Sequence, residues 1–130
     1  MYTFVDLVNI TNKLRSEHGC PWDREQTHES LKVCLEEECG EVLNAIDNKD
    51  MENLCEELGD VLFSVMLHSQ IAKEESAFTI DDVINGICGK MIRRHPHVFG
   101  NETVNTPEEG RALWEKIKMQ EKALQKSEKP

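Results

Sequence analysis

The chain is expected to be all-α, a bundle of four or five helices, and three observations carry that expectation. Apolar residues recur at intervals of three and four through most of its 130 residues, the period of helices with a buried face. Start and stop signals punctuate these runs, and no stretch alternates apolar and polar residues as a half-buried strand would. Two acidic clusters, Glu37, Glu38 and Glu41, then Glu57 and Asp60, lie inside segments that otherwise read as buried helix.

Phe4, Leu7, Val8, Ile10, Thr11 and Leu14 predict a first helix over about 3–17, closed by Gly19 and Pro21. Asp23 with Gln26 at the third following position predicts a capping box, opening a long second helix through Leu31, Leu35, Val42 and Ile46. Trp22, just before it, is expected to anchor this loop in the core. A turn at Asp47, Asn48, Lys49 and Asp50 follows, with Asp50 capping a third helix to about Glu75. So short a turn makes the two helices antiparallel neighbours. Thr79 and Asp82 mark the start of a fourth helix, which should stop before Pro96; residues 95–105 read as loop. Thr106, Pro107 and Glu109 then introduce the last helix, through Leu113, Trp114 and Ile117.

One domain over 1–130 is expected, its charged end over 119–130 frayed. Twenty-five acidic against 15 basic residues leave a net charge of -10, which argues against a general nucleic-acid or anionic-membrane binder. Metal ions could still bridge so acidic a chain to a phosphate compound. The five cysteines form no CxxC pair and suit a reduced intracellular chain better than a disulfide frame. MYTFVDLVNI lacks the basic start of a signal peptide, and the longest uncharged run, Val61 to Ala72, is shorter than the roughly 18 apolar residues of a membrane span. A soluble, cytoplasmic protein is expected.

An unpaired carboxylate on buried surface costs several kcal/mol or takes up a proton, and a divalent cation is the simplest compensation. Glu38 projects within the apolar sector of the second helix, with Glu41 at its edge and Glu37 farther round. On the third helix, apolar residues occupy nearly the whole circumference except for a polar strip of Glu57, Asp60, Ser64 and His68. So evenly apolar a helix must be covered on several sides, which suggests a homodimer or larger assembly. Glu38 with Glu41, and Glu57 with Asp60, are each three apart, so two facing helices can converge four carboxylates on one point. Oxygen-only ligation suits Mg²⁺ or Mn²⁺. A di-iron bundle would need two ExxH pairs, and only Glu25-Gln26-Thr27-His28 is present; neither GxxxxGK nor GxGxxG occurs.

GCPWDREQTHESL, LEEECGEVLNAI, LCEELGDVLFSVMLHSQIA, KMIRRHPHVFG and LWEKIK, in this order over about residues 15–120, resemble the MazG family of nucleoside triphosphate pyrophosphohydrolases. The family's acidic signature, EExxE and then ExxD, is matched by Glu37, Glu38 and Glu41 with Glu57 and Asp60. The resemblance implies a helical bundle of the all-α NTP pyrophosphatase type, completed by homodimerisation or in a homotetramer. It also implies Mg²⁺-dependent hydrolysis of a triphosphate to a monophosphate and pyrophosphate, a housecleaning role if the nucleotides are non-canonical. By motif, Glu38, Glu41, Glu57 and Asp60 would hold metal, and Glu37 and Glu38 are the catalytic candidates, Glu37 orienting or deprotonating the attacking water. The leaving group needs positive charge, for which Lys90, Arg93, Arg94 and Lys118 are candidates; Trp114, one turn from Lys118, could stack on the base. His95 and His97 are read as loop residues shaping the site. A narrower relative, acting on dUTP, dCTP or phosphoribosyl-ATP, and a non-catalytic nucleotide- or metal-sensing module are the alternatives.

Overall fold

In a computed structural model, which describes residues 1–128, the chain is all-α: α1 (Phe4–Arg15), α2 (Pro21–Glu25), α3 (Lys32–Asp47), α4 (Met51–Glu74), α5 (Ile80–Arg94), α6 (Pro96–Phe99) and α7 (Pro107–Glu128). No strand occurs among the described residues, and no helix there is long and apolar enough to cross a membrane. Two compact units divide the chain, Met1–Ile80 and Asp81–Pro130.

In the first unit α1 opens on a reciprocal cap. The Thr3 hydroxyl accepts from the Asp6 amide at 3.3 Å, and the Asp6 carboxylate accepts from the Thr3 amide at 2.7 Å, satisfying two amides that no helix carbonyl can reach. Its end turns back tightly, with the Cys20 amide donating to the Leu14 carbonyl at 2.9 Å. A Cβ on Gly19 would sit 2.3 Å from the carbonyl oxygens of Lys13 and Leu14, so no other residue fits this return.

The expected long helix from Asp23 is broken. Asp23 does not cap; it lies within α2, which starts from Cys20 with Pro21 in its first turn. Gln26 is extended, and Thr27 and Ser30 exchange side-chain and backbone hydrogen bonds, so the chain makes a hydroxyl-stabilised turn before α3. Arg15 holds the break from outside: its Nη1 donates to the carbonyls of Asp23 at 2.7 Å and Gln26 at 2.8 Å. Those carbonyls are helix-end acceptors, and a guanidinium replaces the amides of a continuing helix. Trp22 is 55% exposed and does not anchor this loop in the core.

Helices α3 and α4 pack on each other, and α1 packs on α4 and α2. Their turn follows the sequence expectation, with Asp50 accepting from the Asn53 amide at 3.1 Å and Lys49 in the left-handed region at φ 53°. The core gathers Leu31, Leu67 and Ile71, with Cys34 and Phe63 against them. Each such side chain fully removed from water contributes about 1.5–3 kcal/mol. Burial is concentrated in the second half of α4, whereas Leu58, Leu62 and Val65, one stripe of that helix, are exposed, as are Leu43 and Ile46 on α3.

In the second unit α5 starts directly after Thr79 and stops at Arg94, since Pro96 disfavours helix at His95. The segment 95–105, expected as loop, contains the short α6, because Pro96 suits a first helical position and the His95 carbonyl accepts from Val98 and Phe99. Thr106 accepts from the Glu109 amide at 3.1 Å, and Glu109 reaches back to the Asn105 amide at 2.9 Å, one residue beyond the expected box. Helix α7 continues to Glu128, and the expectation for 119–130 runs past the described residues at 129 and 130.

Candidate metal centre

The turn at Asp47–Asp50 folds α4 back along α3, so the acid motif of each helix meets the other. Glu41 from α3 and Glu57 and Asp60 from α4 each offer a carboxylate oxygen, and these oxygens lie within 4.8 Å of one another. The three-residue step from Glu57 to Asp60 keeps both on one side of α4. Like charges so close repel, which favours the protonated form of one of them. The hydrogen bond to Glu41, then burial, then the charges of Glu41, Asp60 and Glu56 push Glu57 up to about 7. Its Oε2 is shut off from solvent and has no hydrogen-bond partner. An all-oxygen donor set with one orphaned buried oxygen fits a hard divalent cation, which would satisfy that oxygen and displace the proton.

Glu38 is not part of that trio. It is half-buried, and its Oε2 accepts from the Ser64 hydroxyl at 2.6 Å across the α3–α4 interface. Glu37 is exposed on α3. Thus three of the four carboxylates expected to bind metal come together, while the fourth is held by a serine of the same polar strip.

Farther along that strip, His68 meets His28 with their Nδ1 atoms 2.8 Å apart, one donating and the other accepting. The rings are parallel to within 4° and their centres 5.1 Å apart, about the largest separation this contact allows, so they meet edge to edge. Burial, then the charge of His28, pulls His68 below the usual histidine range. His28 Nε2 lies 3.6 Å from Glu75. The pair ties the turn before α3 to α4, and sequence reading noted both histidines without linking them.

Arg15 was missed altogether. Its side chain is only 7% exposed, and it clasps Glu74 through Nε at 3.1 Å and Nη2 at 2.6 Å besides holding the α2 carbonyls. The Arg15 hydrogen bonds hold Glu74 below the usual carboxylate range. Its one sequence signal was a cation in the last turn of a helix, which commonly serves the helix dipole alone.

The expected substrate-binding residues all lie in the second unit. Glu121 binds both arginines, Arg93 through Nε at 2.9 Å and Arg94 through Nε and Nη2 at 3.1 and 2.9 Å, and these contacts hold Glu121 below its usual range. The Arg94 guanidinium lies 4.9 Å from the centre of the Trp114 ring, a cation–π contact, and His95 meets that ring edge-on at 5.3 Å. His95 also donates from Nδ1 to the Met91 carbonyl at 2.6 Å, and His97 lies against it with ring centres 5.5 Å apart. Lys90 and Lys118 are half-buried on α5 and α7.

The fold and its acid cluster define an all-α protein with a carboxylate site suited to a divalent cation. Residues 26–99 match the MazG nucleotide pyrophosphohydrolase domain, and the chain belongs to that family. A nucleoside triphosphate pyrophosphohydrolase/pyrophosphatase MazG of Thermotoga maritima is 56% identical over 95% of this chain and 47% of its own length. A nucleoside triphosphate pyrophosphohydrolase of Escherichia coli K12 is 44% identical over 90% of the chain and 45% of its own length. The chain therefore spans about half the length of these curated relatives. Among solved structures, a MazG-related protein from Thermotoga maritima superposes with a TM-score of 0.71 at 30% identity, covering 87% of this chain and 96% of that one.

Proposed function

We propose that this chain hydrolyses nucleoside triphosphates between the α and β phosphorus atoms, releasing a nucleoside monophosphate and pyrophosphate in a Mg²⁺-dependent reaction. The observation that carries this reading is the convergence of Glu41, Glu57 and Asp60 on one cation-sized space between α3 and α4. The names of the relatives from Thermotoga maritima and Escherichia coli support it.

Glu41, Glu57, Asp60 and Glu38 would hold the metal, which would supply charge neutralisation on the phosphate oxygens, with Mn²⁺ as a substitute for Mg²⁺. Glu37, on the exposed side of α3, orients or deprotonates the attacking water. Lys90, Arg93, Arg94 and Lys118 bind the phosphates and Trp114 the base, with Glu121 setting the orientation of the two arginines. Positive side chains are needed because a chain of net charge -10 otherwise repels a polyanion.

A homodimer completes the bundle. Leu43 and Leu58, 61% and 51% exposed, belong to apolar stripes that a single chain leaves in water, and a second copy would cover them. Housecleaning of non-canonical nucleotides in the cytoplasm is the proposed setting.

The test is a panel of canonical and modified triphosphates, including dUTP and dCTP, with phosphoribosyl-ATP, incubated with Mg²⁺ or EDTA and analysed for products. Pyrophosphate in Mg²⁺ alone is expected, and the panel reveals how narrow the substrate choice is. Release of orthophosphate instead, or binding without turnover, would refute the assigned reaction.

A further inference from the structure

We propose that Ser64 is a positioning residue for Glu38, fixing the direction in which that carboxylate meets a cation; this rests on the metal reading above. A buried hydroxyl on a helix ordinarily returns its proton to the carbonyl one turn back. Two others in this unit do so: Thr11 donates to the Leu7 carbonyl at 2.9 Å and Ser69 to the Val65 carbonyl at 2.7 Å. Ser64, 3% exposed, instead reaches across to α3 and gives its proton to Glu38 Oε2 at 2.6 Å. That separation belongs to a charge-assisted O–H···O⁻ bond, roughly twice as strong as a neutral one.

A hydroxyl has one proton to give, and here it is spent on the acid. Asp60 and Ser64 are one helical turn apart, so the serine sits beside the trio on the same strip of α4. With Oε2 tethered, Glu38 is held in one orientation and its Oε1 is directed along a fixed line. Free of that bond the carboxylate could rotate or turn away, and ordering it again on the cation costs affinity. Partners of this kind, which orient a ligand without touching the metal, are typically worth about 10–100-fold in affinity.

The experiment measures Mn²⁺ binding by calorimetry and electron paramagnetic resonance for the wild type, Ser64→Ala, Glu38→Ala and the double variant. Ser64→Ala should weaken Mn²⁺ about tenfold, and in the Glu38→Ala background the same change should add less than about twofold, because the serine acts only through that acid. The Mg²⁺ concentration for half-maximal turnover should rise with it, while kcat at saturating Mg²⁺ stays within about threefold of wild type. An unchanged Mn²⁺ affinity in Ser64→Ala, or an equal loss in both backgrounds, as for a packing role, would overturn the proposal. A wild type that binds no Mn²⁺ would overturn the metal reading together with it. Should Ser64→Ala fail to fold, Ser64→Cys, of similar shape but with a weak donor, serves the same comparison.

Discussion

A cation entering the carboxylate trio competes with a proton on Glu57, and the surroundings of that acid indicate where on the pH scale. Glu57 is pushed up to about 7, first by its hydrogen bond to Glu41 and then by burial and the neighbouring acids. Metal ligation requires the ionised form. One pH unit below its midpoint only roughly a tenth of such a group is ionised, so Mn²⁺ should bind about tenfold more weakly near pH 6 than near pH 8. Calorimetry in buffers of different ionisation heat should find about one proton released per ion near pH 6 and almost none near pH 8. Glu57→Gln should abolish the pH dependence and weaken binding throughout. For the cation-free protein the sign is opposite. The folded value lies above the ordinary 4.5, so this group's contribution to stability is fully present below about 4.5 and is lost as pH rises towards 7. Saturating Mg²⁺ should remove that loss. A flat Mn²⁺ affinity with no proton release between about pH 6 and 8 would refute the raised Glu57 pKa.

Asp60→Asn, nearly isosteric, should lower pyrophosphate release in Mg²⁺ by more than the ~10–100-fold typical of an outer partner, with circular dichroism unchanged. Arg15→Met should cost roughly 3 kcal/mol in urea unfolding, since two charged-donor bonds to carbonyls vanish while half-exposed Glu74 is rehydrated. The Glu74 contribution should fade as pH falls through the lowered pKa of that acid, because its folded form favours ionisation. Gly19→Ala should destabilise by about 1–3 kcal/mol, measured by the same unfolding, because the added carbon meets two carbonyl oxygens of α1.

Much of the fold was legible because its signals are local. The Asp50 cap, the turn before α4, the stop at Pro96 and the start at Thr106 each depend on residues within a few positions. The expectation failed where a distant group intervened. Asp23 and Gln26 have the spacing of a capping box, yet Arg15, from another helix, supplies the donors that let the chain break after Glu25. Trp22 looked like an anchor by residue type, and nothing in its neighbourhood could reveal that it stays exposed.

The same division runs through the candidate site. Spacing alone placed Glu57 beside Asp60 and Glu38 near Glu41, because helical periodicity sets which residues share a side. How two helices rotate against each other depends on packing summed over many side chains, and no local pattern encodes it. That rotation put Glu41, rather than Glu38, with Glu57 and Asp60 and gave Glu38 to Ser64. By itself the sequence determined an all-α chain carrying paired carboxylates and a family signature. Only the tertiary structure decided which acids converge, which one is tethered, and that Arg15 joins three helices, since each depends on distances between residues far apart in the chain.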